Sequence, residues 1–199
     1  MRTFAFLMFV CVLSVFTDLA HAQQFDVAVG AGILESSKNT TASQTYLAPP
    51  EKGGLYPSVS VDRIRKNHFG YSAEVAFRYH YALYNYYQEF RPLMYDVNGL
   101  YSTHVAKKTT ANFMAGAGGQ TVIFYSPYGG CLYTAGCSTH LDSTHFLFHL
   151  GANVQYRVWR NVFVRPEAHY YYIFNNTDEF HSNHVFRFGA SIGYTFHTD

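Results

Sequence analysis

The chain has 199 residues, with 18 Tyr, 18 Phe and 1 Trp, so aromatic residues reach 19% against 14% charged ones. That balance excludes a disordered tail or a coiled coil. Fourteen Lys and Arg stand against 13 Asp and Glu, and the basic residues are scattered without a stripe that would neutralise phosphates, which argues against nucleic acid as a partner.

In chain order, residues 1–22 read as a cleavable secretory signal. Arg2 supplies the charge, Phe4 to Phe16 form the apolar run, and Ala20-His21-Ala22 is a small-x-small cleavage site. The run is about 13 residues, short of the ~20 that a spanning helix needs. Cys11 lies inside it and leaves with it. Residues 23–199 then form one domain starting at Gln23, and no later stretch is apolar enough for a membrane helix.

What recurs along this domain is a period of two, which on a strand sends one set of side chains to each face. Residues 69–81 show it most plainly. Phe69, Tyr71, Ala73, Val75, Phe77, Tyr79 and Tyr81 point one way, and Gly70, Ser72, Glu74, Ala76, Arg78 and His80 the other. The same alternation predicts strands starting near Phe25, Leu55, Leu93, Asn112, His145, Val162 and Phe186, giving eight in all. The segment around Phe113 is the most ambiguous, because its glycines blur the two sides. Joins at Arg63 to Asn67, Ala106 to Thr110 and Trp159 to Asn161 are short. Those at Glu35 to Gly53, Ala82 to Arg91, Ser126 to Thr144 and Asn175 to His184 are long and polar.

Short and long joins in alternation are what an up-and-down antiparallel barrel gives, with the short turns at one rim and the long loops at the other. A soluble secreted β-sandwich also alternates, but its polar face meets water. Here the polar faces are rich in Gly, Ser and Ala, which suits a narrow lumen better than a solvated surface. Tyr71, Tyr79, Tyr81, Tyr101, Trp159, Tyr170, Tyr172 and Phe196 fall near strand ends, as interfacial girdles do. The expected fold is therefore all-β, an eight-stranded antiparallel up-and-down transmembrane barrel in the bacterial outer membrane.

With its signal, its eight alternating segments and the final strand Phe186-Arg-Phe-Gly-Ala-Ser-Ile-Gly-Tyr-Thr-Phe196, the chain resembles the small outer-membrane barrels of the OmpA and OmpX type. The resemblance covers nearly all of Gln23 to Phe196, although His197-Thr198-Asp199 follow where the family usually ends on the aromatic residue. It implies a last strand read by the outer-membrane insertion machinery, and surroundings of outer-membrane lipid and lipopolysaccharide.

Eight strands enclose an interior just wide enough for side chains, so inward charges must be paired. Glu74, Asp96 and Glu167 face Arg78, Arg157, Arg165 and Arg187 in an expected lumen network. A hairpin register centred near Tyr86 sets Asp96 opposite Ala76, diagonal to Glu74 and Arg78, and predicts an Asp96–Arg78 ion pair. His80, His104, His149 and His169 are placed inward, and His140, His145, His181 and His184 in or beside long loops.

Cys131 and Cys137 in a Gly-rich loop of an exported chain predict a disulfide. A metal site using His140 and His145 lacks paired short spacings, and no metal or other cofactor is expected. His181-Ser182-Asn183 invites comparison with barrel lipid deacylases, but the spacer between His and Ser is missing, which argues against an activated serine. Tyr84, Tyr86, Tyr87, Phe90, Tyr125, Tyr128 and Tyr133 are expected to project from the long loops as binding candidates. The sequons at Asn39 and Asn175 carry no weight in a bacterial chain. The reading is a monomeric, non-enzymatic barrel with a structural or surface-adhesive role toward a host-surface or extracellular ligand. A narrow channel is the alternative, followed by a lipid-modifying enzyme.

Overall fold

The structure, a computed structural model, describes residues 24–36, 50–65, 67–84, 88–130 and 138–196. The signal segment, the Cys131–Cys137 loop and the last three residues lie outside these. Among the described residues the alternating segments form eight antiparallel barrel strands. They are β1 (Gln24–Ser36), β2 (Leu55–Ile64), β3 (Phe69–Phe77), β4 (Glu89–Ala106), β5 (Thr109–Gly130), β6 (Ser138–Trp159), β7 (Val162–Ile173) and β8 (His184–Phe196). Each strand pairs with its sequence neighbours, and β1 pairs with β8, so the sheet closes without a free edge.

The alternation decides which side faces what. In β3, outward Phe69, Tyr71 and Val75 are exposed while Gly70, Ser72, Glu74 and Ala76 are buried. Around the outer wall Val29, Val97 and Leu150 stand 54%, 64% and 55% exposed. A water-soluble sandwich would bury such side chains between its sheets. Here the buried faces enclose a lumen and the apolar faces form a belt that only hydrocarbon can solvate.

The short turns sit at one rim. Lys107–Lys108 and Arg160–Asn161 are two-residue reversals, with Arg160 in the left-handed region at φ 47. At the other rim β5 and β6, 22 residues each, pair through Tyr125↔His140 and again at Gly130↔Ser138. At ~3.3 Å per residue each spans roughly 70 Å, which even when tilted overshoots an apolar band of about 25 Å. Within what reads in the sequence as a long loop from Ser126 to Thr144, residues 126–130 and 138–144 are strand, and the ladder extends beyond the membrane.

The β3–β4 hairpin departs from expectation. β3 ends at Phe77, not Tyr81, and Phe77 pairs with Leu93 while Ala82 pairs with Phe90. Five steps on one side thus answer three on the other, so two extra residues within Arg78–Tyr81 shift the register. Asp96 lies directly opposite Glu74, not Ala76, and His80 is exposed past the strand end. His104, at the short-turn end of β4, is exposed as well.

The interior is layered along the barrel axis. Ile64, Leu100 and Met114 pack near the short turns. A charged midsection follows. Above it lies an apolar layer of Leu34, Tyr56, Met94, Leu147, Tyr171, Ile173 and Val185. Phe90, Val122, Phe124 and Phe180 fill the long-loop mouth.

Candidate functional site

The midsection is built from inward positions of β2, β3, β4, β6, β7 and β8. Arg187 reaches across the lumen to hydrogen-bond Glu74 and lies 3.7 Å from Glu167. Arg165 bonds Asp62 at 2.5 Å, lies 3.3 Å from Glu167, and donates to Ser60 and Ser191. Ser191 in turn donates to Glu167 at 3.0 Å, and Ser72 to Asp62 at 2.5 Å. Each guanidinium thus gathers two carboxylates from separate strands, which tethers opposite walls to one another.

Asp96 is satisfied differently. Asn98 donates to it at 2.5 Å, and His149 Nδ1 lies 3.3 Å from its Oδ1 and 2.7 Å from Asn98 Oδ1. Both neighbours are acceptors, so Nδ1 of His149 carries hydrogen. In a neutral ring its Nε2 then accepts from His169 Nδ1 at 2.9 Å. The two imidazoles and Tyr171 stack, with interplanar angles of 5° to 18°. Nearer the short turns, Asp26 accepts from Gln24 and Gln155, and Asn112 donates to Asn153 at 2.9 Å.

Of the expected network, Glu74, Asp96, Arg165, Glu167 and Arg187 all lie buried in this midsection. Two bases do not join it. The shifted hairpin carries Arg78 to the mouth, where its guanidinium lies 5.9 Å from the Tyr56 ring centroid and 5.7 Å from that of Phe90. Asp96 therefore has no ion pair with it. Arg157 is half-buried beside Gln155, Lys107 and Lys108 at the short-turn opening. Conversely, Asp26 and Asp62 are buried acids that the network omitted, although alternation already placed both inward. The buried midsection and its short-turn flank thus hold five carboxylates and two guanidiniums, not three acids and four bases. Glu74, Glu167 and His169 come within 4.8 Å of one another, a set able to ligate a cation, but the Arg187 guanidinium already bonds Glu74, and both Arg187 and Arg165 stand beside Glu167.

The mouth is closed by loops. Glu51, fully buried although it lies on no strand, accepts from Gln120 at 2.8 Å and from Asn176 at 3.4 Å. Burial pushes its carboxyl up to about 7, against the two amide hydrogen bonds and the Arg78 charge, which pull the other way. The Gly53 amide donates to Leu34 at 2.7 Å, pinning this segment to β1. At Gly54, φ is 86 and a Cβ would meet the Arg78 guanidinium at 2.6 Å, so only glycine fits. From the opposite side a 3₁₀ turn, Asn176–Asp178, delivers Phe180 onto Phe90 and Phe124.

Tyr84 packs edge-on against Phe90, Phe124 and Phe180, and its hydroxyl donates to the Glu179 carbonyl at 2.5 Å. Tyr84 and Phe90 therefore line the cap and do not project, because the aromatic mouth offers them a buried partner. Tyr86, Tyr87, Tyr128 and Tyr133 fall outside the residues whose side chains are described, as does the Cys131–Cys137 pair. Tyr125 stacks edge-on with Tyr81 at 4.8 Å. The Ser182 hydroxyl accepts the His184 amide at 3.0 Å, and Asn183 accepts that of Thr177 at 3.1 Å. These are fastenings within the loop. His145 faces Glu179 at 3.4 Å.

No protein-family model matches the chain, and no curated protein matches it. Solved structures do. Neisserial surface protein A aligns with a TM-score of 0.60 and 14% identity over 86% of this chain and 97% of its own. A major outer membrane protein of Thermus thermophilus gives 0.62 and 13% over 88% and 100%. Ail, the attachment invasion locus protein of Yersinia pestis, solved with the heparin analogue sucrose octasulfate, gives 0.56 and 12% over 87% and 98%. With a closed lumen, a lipid-solvated wall and these likenesses, the chain has the fold of the small eight-stranded outer-membrane barrels.

Proposed function

We propose that this protein is a monomeric, non-catalytic outer-membrane barrel with a structural role, a closed post that spans the membrane and conducts nothing. The observation that carries this reading is the lumen itself, occupied by ion pairs at mid-height, by the Leu34–Tyr171–Val185 layer above them, and by the Phe180 cap. Eight strands leave little room beyond side chains, and here the side chains use it. The wall is surrounded by outer-membrane lipid and lipopolysaccharide, and the last strand is the segment read by the insertion machinery. The test is refolding into planar bilayers, after confirming by the gel shift between unboiled and boiled samples that the barrel has closed. Silent bilayers are expected; stepwise conductance would establish the channel instead.

A second reading, adhesion to a surface ligand, is favoured by the β5–β6 ladder that extends beyond the membrane. Ail, the attachment invasion locus protein, is solved in complex with the heparin analogue sucrose octasulfate, which makes that compound a practical first probe here. Replacing residues 126–139 by a two-residue turn is expected to leave the gel shift intact and abolish binding of whole cells to immobilised extracellular ligands. Equal binding by the trimmed barrel would remove the adhesive role from this hairpin.

A further inference from the structure

On the outer wall near the short turns, three cross-strand rows stack one above another: Phe69, Tyr101 and Phe113; Tyr71, Gly99 and Ala115; Ala73, Val97 and Ala117. The rim row is aromatic and bare, with Phe69 59% and Phe113 54% exposed. The middle row is missing its side chain at Gly99 and has only a methyl at Ala115. The result is a depression of about 500 Å³ walled by Phe69, Tyr71, Tyr101 and Phe113 and opening at Arg65. A second depression of about 560 Å³ lies above it, between Val59, Ala73, Tyr95 and Val97.

Arg65 sits off the end of β2, exposed, with its guanidinium 5.5 Å from the Tyr71 ring centroid. The three short-turn segments carry charge of one sign. Residues 63–68, 106–109 and 159–161 contain Arg63, Arg65, Lys66, Lys107, Lys108 and Arg160 and no acid. The nearest acid on β2, Asp62, is turned inward onto Arg165. A cationic rim directly below an apolar furrow has the polarity of a lipid, a charged head at the interface and a chain in hydrocarbon.

We propose that this wall of β3, β4 and β5 is a binding site for one anionic glycerophospholipid, its phosphate on Arg65 and an acyl chain lying in the furrow over Gly99 and Ala115. Short turns of bacterial barrels lie on the periplasmic side, so the occupant comes from the phospholipid leaflet and not from lipopolysaccharide. The site is distinct from the lumen and the mouth, and it needs neither to be active.

The test uses the full barrel refolded in detergent and titrated with phosphatidylglycerol or with phosphatidylcholine of the same chains, with bound lipid counted by native mass spectrometry. One retained phosphatidylglycerol per barrel is expected, in preference to phosphatidylcholine. Arg65→Ala should weaken retention about fivefold, the effect of one interfacial basic residue. Gly99→Leu should weaken it by filling the furrow; a Cβ there meets only the Ala115 carbonyl, at 3.7 Å, so the barrel still closes. The gel shift of each variant checks that closure. If either variant retains lipid like the parent, or if Lys107→Ala with Lys108→Ala weakens retention as much as Arg65→Ala, the localised site is overturned in favour of diffuse attraction to the rim. A dimer that Gly99→Leu disrupts, with no lipid retained, would make the furrow a face for a second copy and equally overturn it.

Discussion

Midway along the lumen, Arg187 and Arg165 draw together carboxylates carried by strands on opposite walls, whereas at the mouth Phe180 and Glu51 reach inward from loops. The midsection contacts join side chains whose backbone positions are fixed by ladder register on facing strands. The cap contacts draw Phe180, Glu51 and Tyr84 from segments outside the eight barrel strands. Ionic pairing therefore sits on strands, where exact partners are held, while the apolar cap takes Phe180 from a loop. Loss of a midsection charge should register as global stability, and loss of a cap contact as local opening.

The sharpest way to break this contrast is Arg187→Met, which leaves Glu74 without its guanidinium and takes away one of the two that stand beside Glu167. A loss of about 3–5 kcal/mol is expected in the urea midpoint of the gel-shifted form, partly restored by adding Glu74→Gln. An unchanged midpoint would mean that the ion pairs contribute nothing to closure. Phe180→Ala should follow, destabilising the cap by roughly 3 kcal/mol. Amide hydrogen exchange should locate that loss at residues 175–184 while strand amides keep their protection.

Glu51 sharpens the comparison through pH. Its carboxyl is held at about 7 in the folded cap against an ordinary 4.5, so the folded state keeps a proton that the opened segment releases. Stability of the cap is then complete below about pH 4.5, falls as pH rises toward 7, and is flat above. Between pH 5 and 7 the loss is roughly 2 kcal/mol, readable as faster exchange of the Gly53 amide, and Glu51→Gln should abolish the dependence. The smallest effect belongs to Lys52–Glu35, an ion pair at 2.9 Å with both side chains about half exposed. Lys52→Ala is expected to shift thermal stability by less than ~0.5 kcal/mol.

Strand number, facing and closure were legible from sequence because a period of two is a local property that each strand repeats. The burial of Glu74, Asp96, Arg165, Glu167 and Arg187 follows from the same parity. Partner choice does not. A regular hairpin matches Asp96 to Arg78, and two extra residues between Phe77 and Ala82 move that register. Asp62 and Asp26 carried the right parity but stood at strand ends, where polar residues look like turn chemistry. Glu51 left no periodic signal at all, since a loop that folds back into a lumen is specified by tertiary partners, Gln120 and Asn176. Tyr84 and Phe90 read as projecting for the same reason: a run rich in Tyr and Phe has the same composition whether it meets water or its own mouth.

The pairing of β1 with β8 joins twelve residue pairs, from Phe25↔Phe196 to Ser36↔Val185. These are the most distant contacts in sequence that the wall contains. Closing that seam carries the largest loop-entropy penalty of any ladder in the molecule, so it is expected to form last and to set the folding rate. Until it does, β1 and β8 are two open edges able to recruit foreign strands. Strand exchange between chains at this seam is thus the misassembly that slow or crowded folding would favour, and a fluorescence pair at Val29 and Ile192 would time the moment of escape from it.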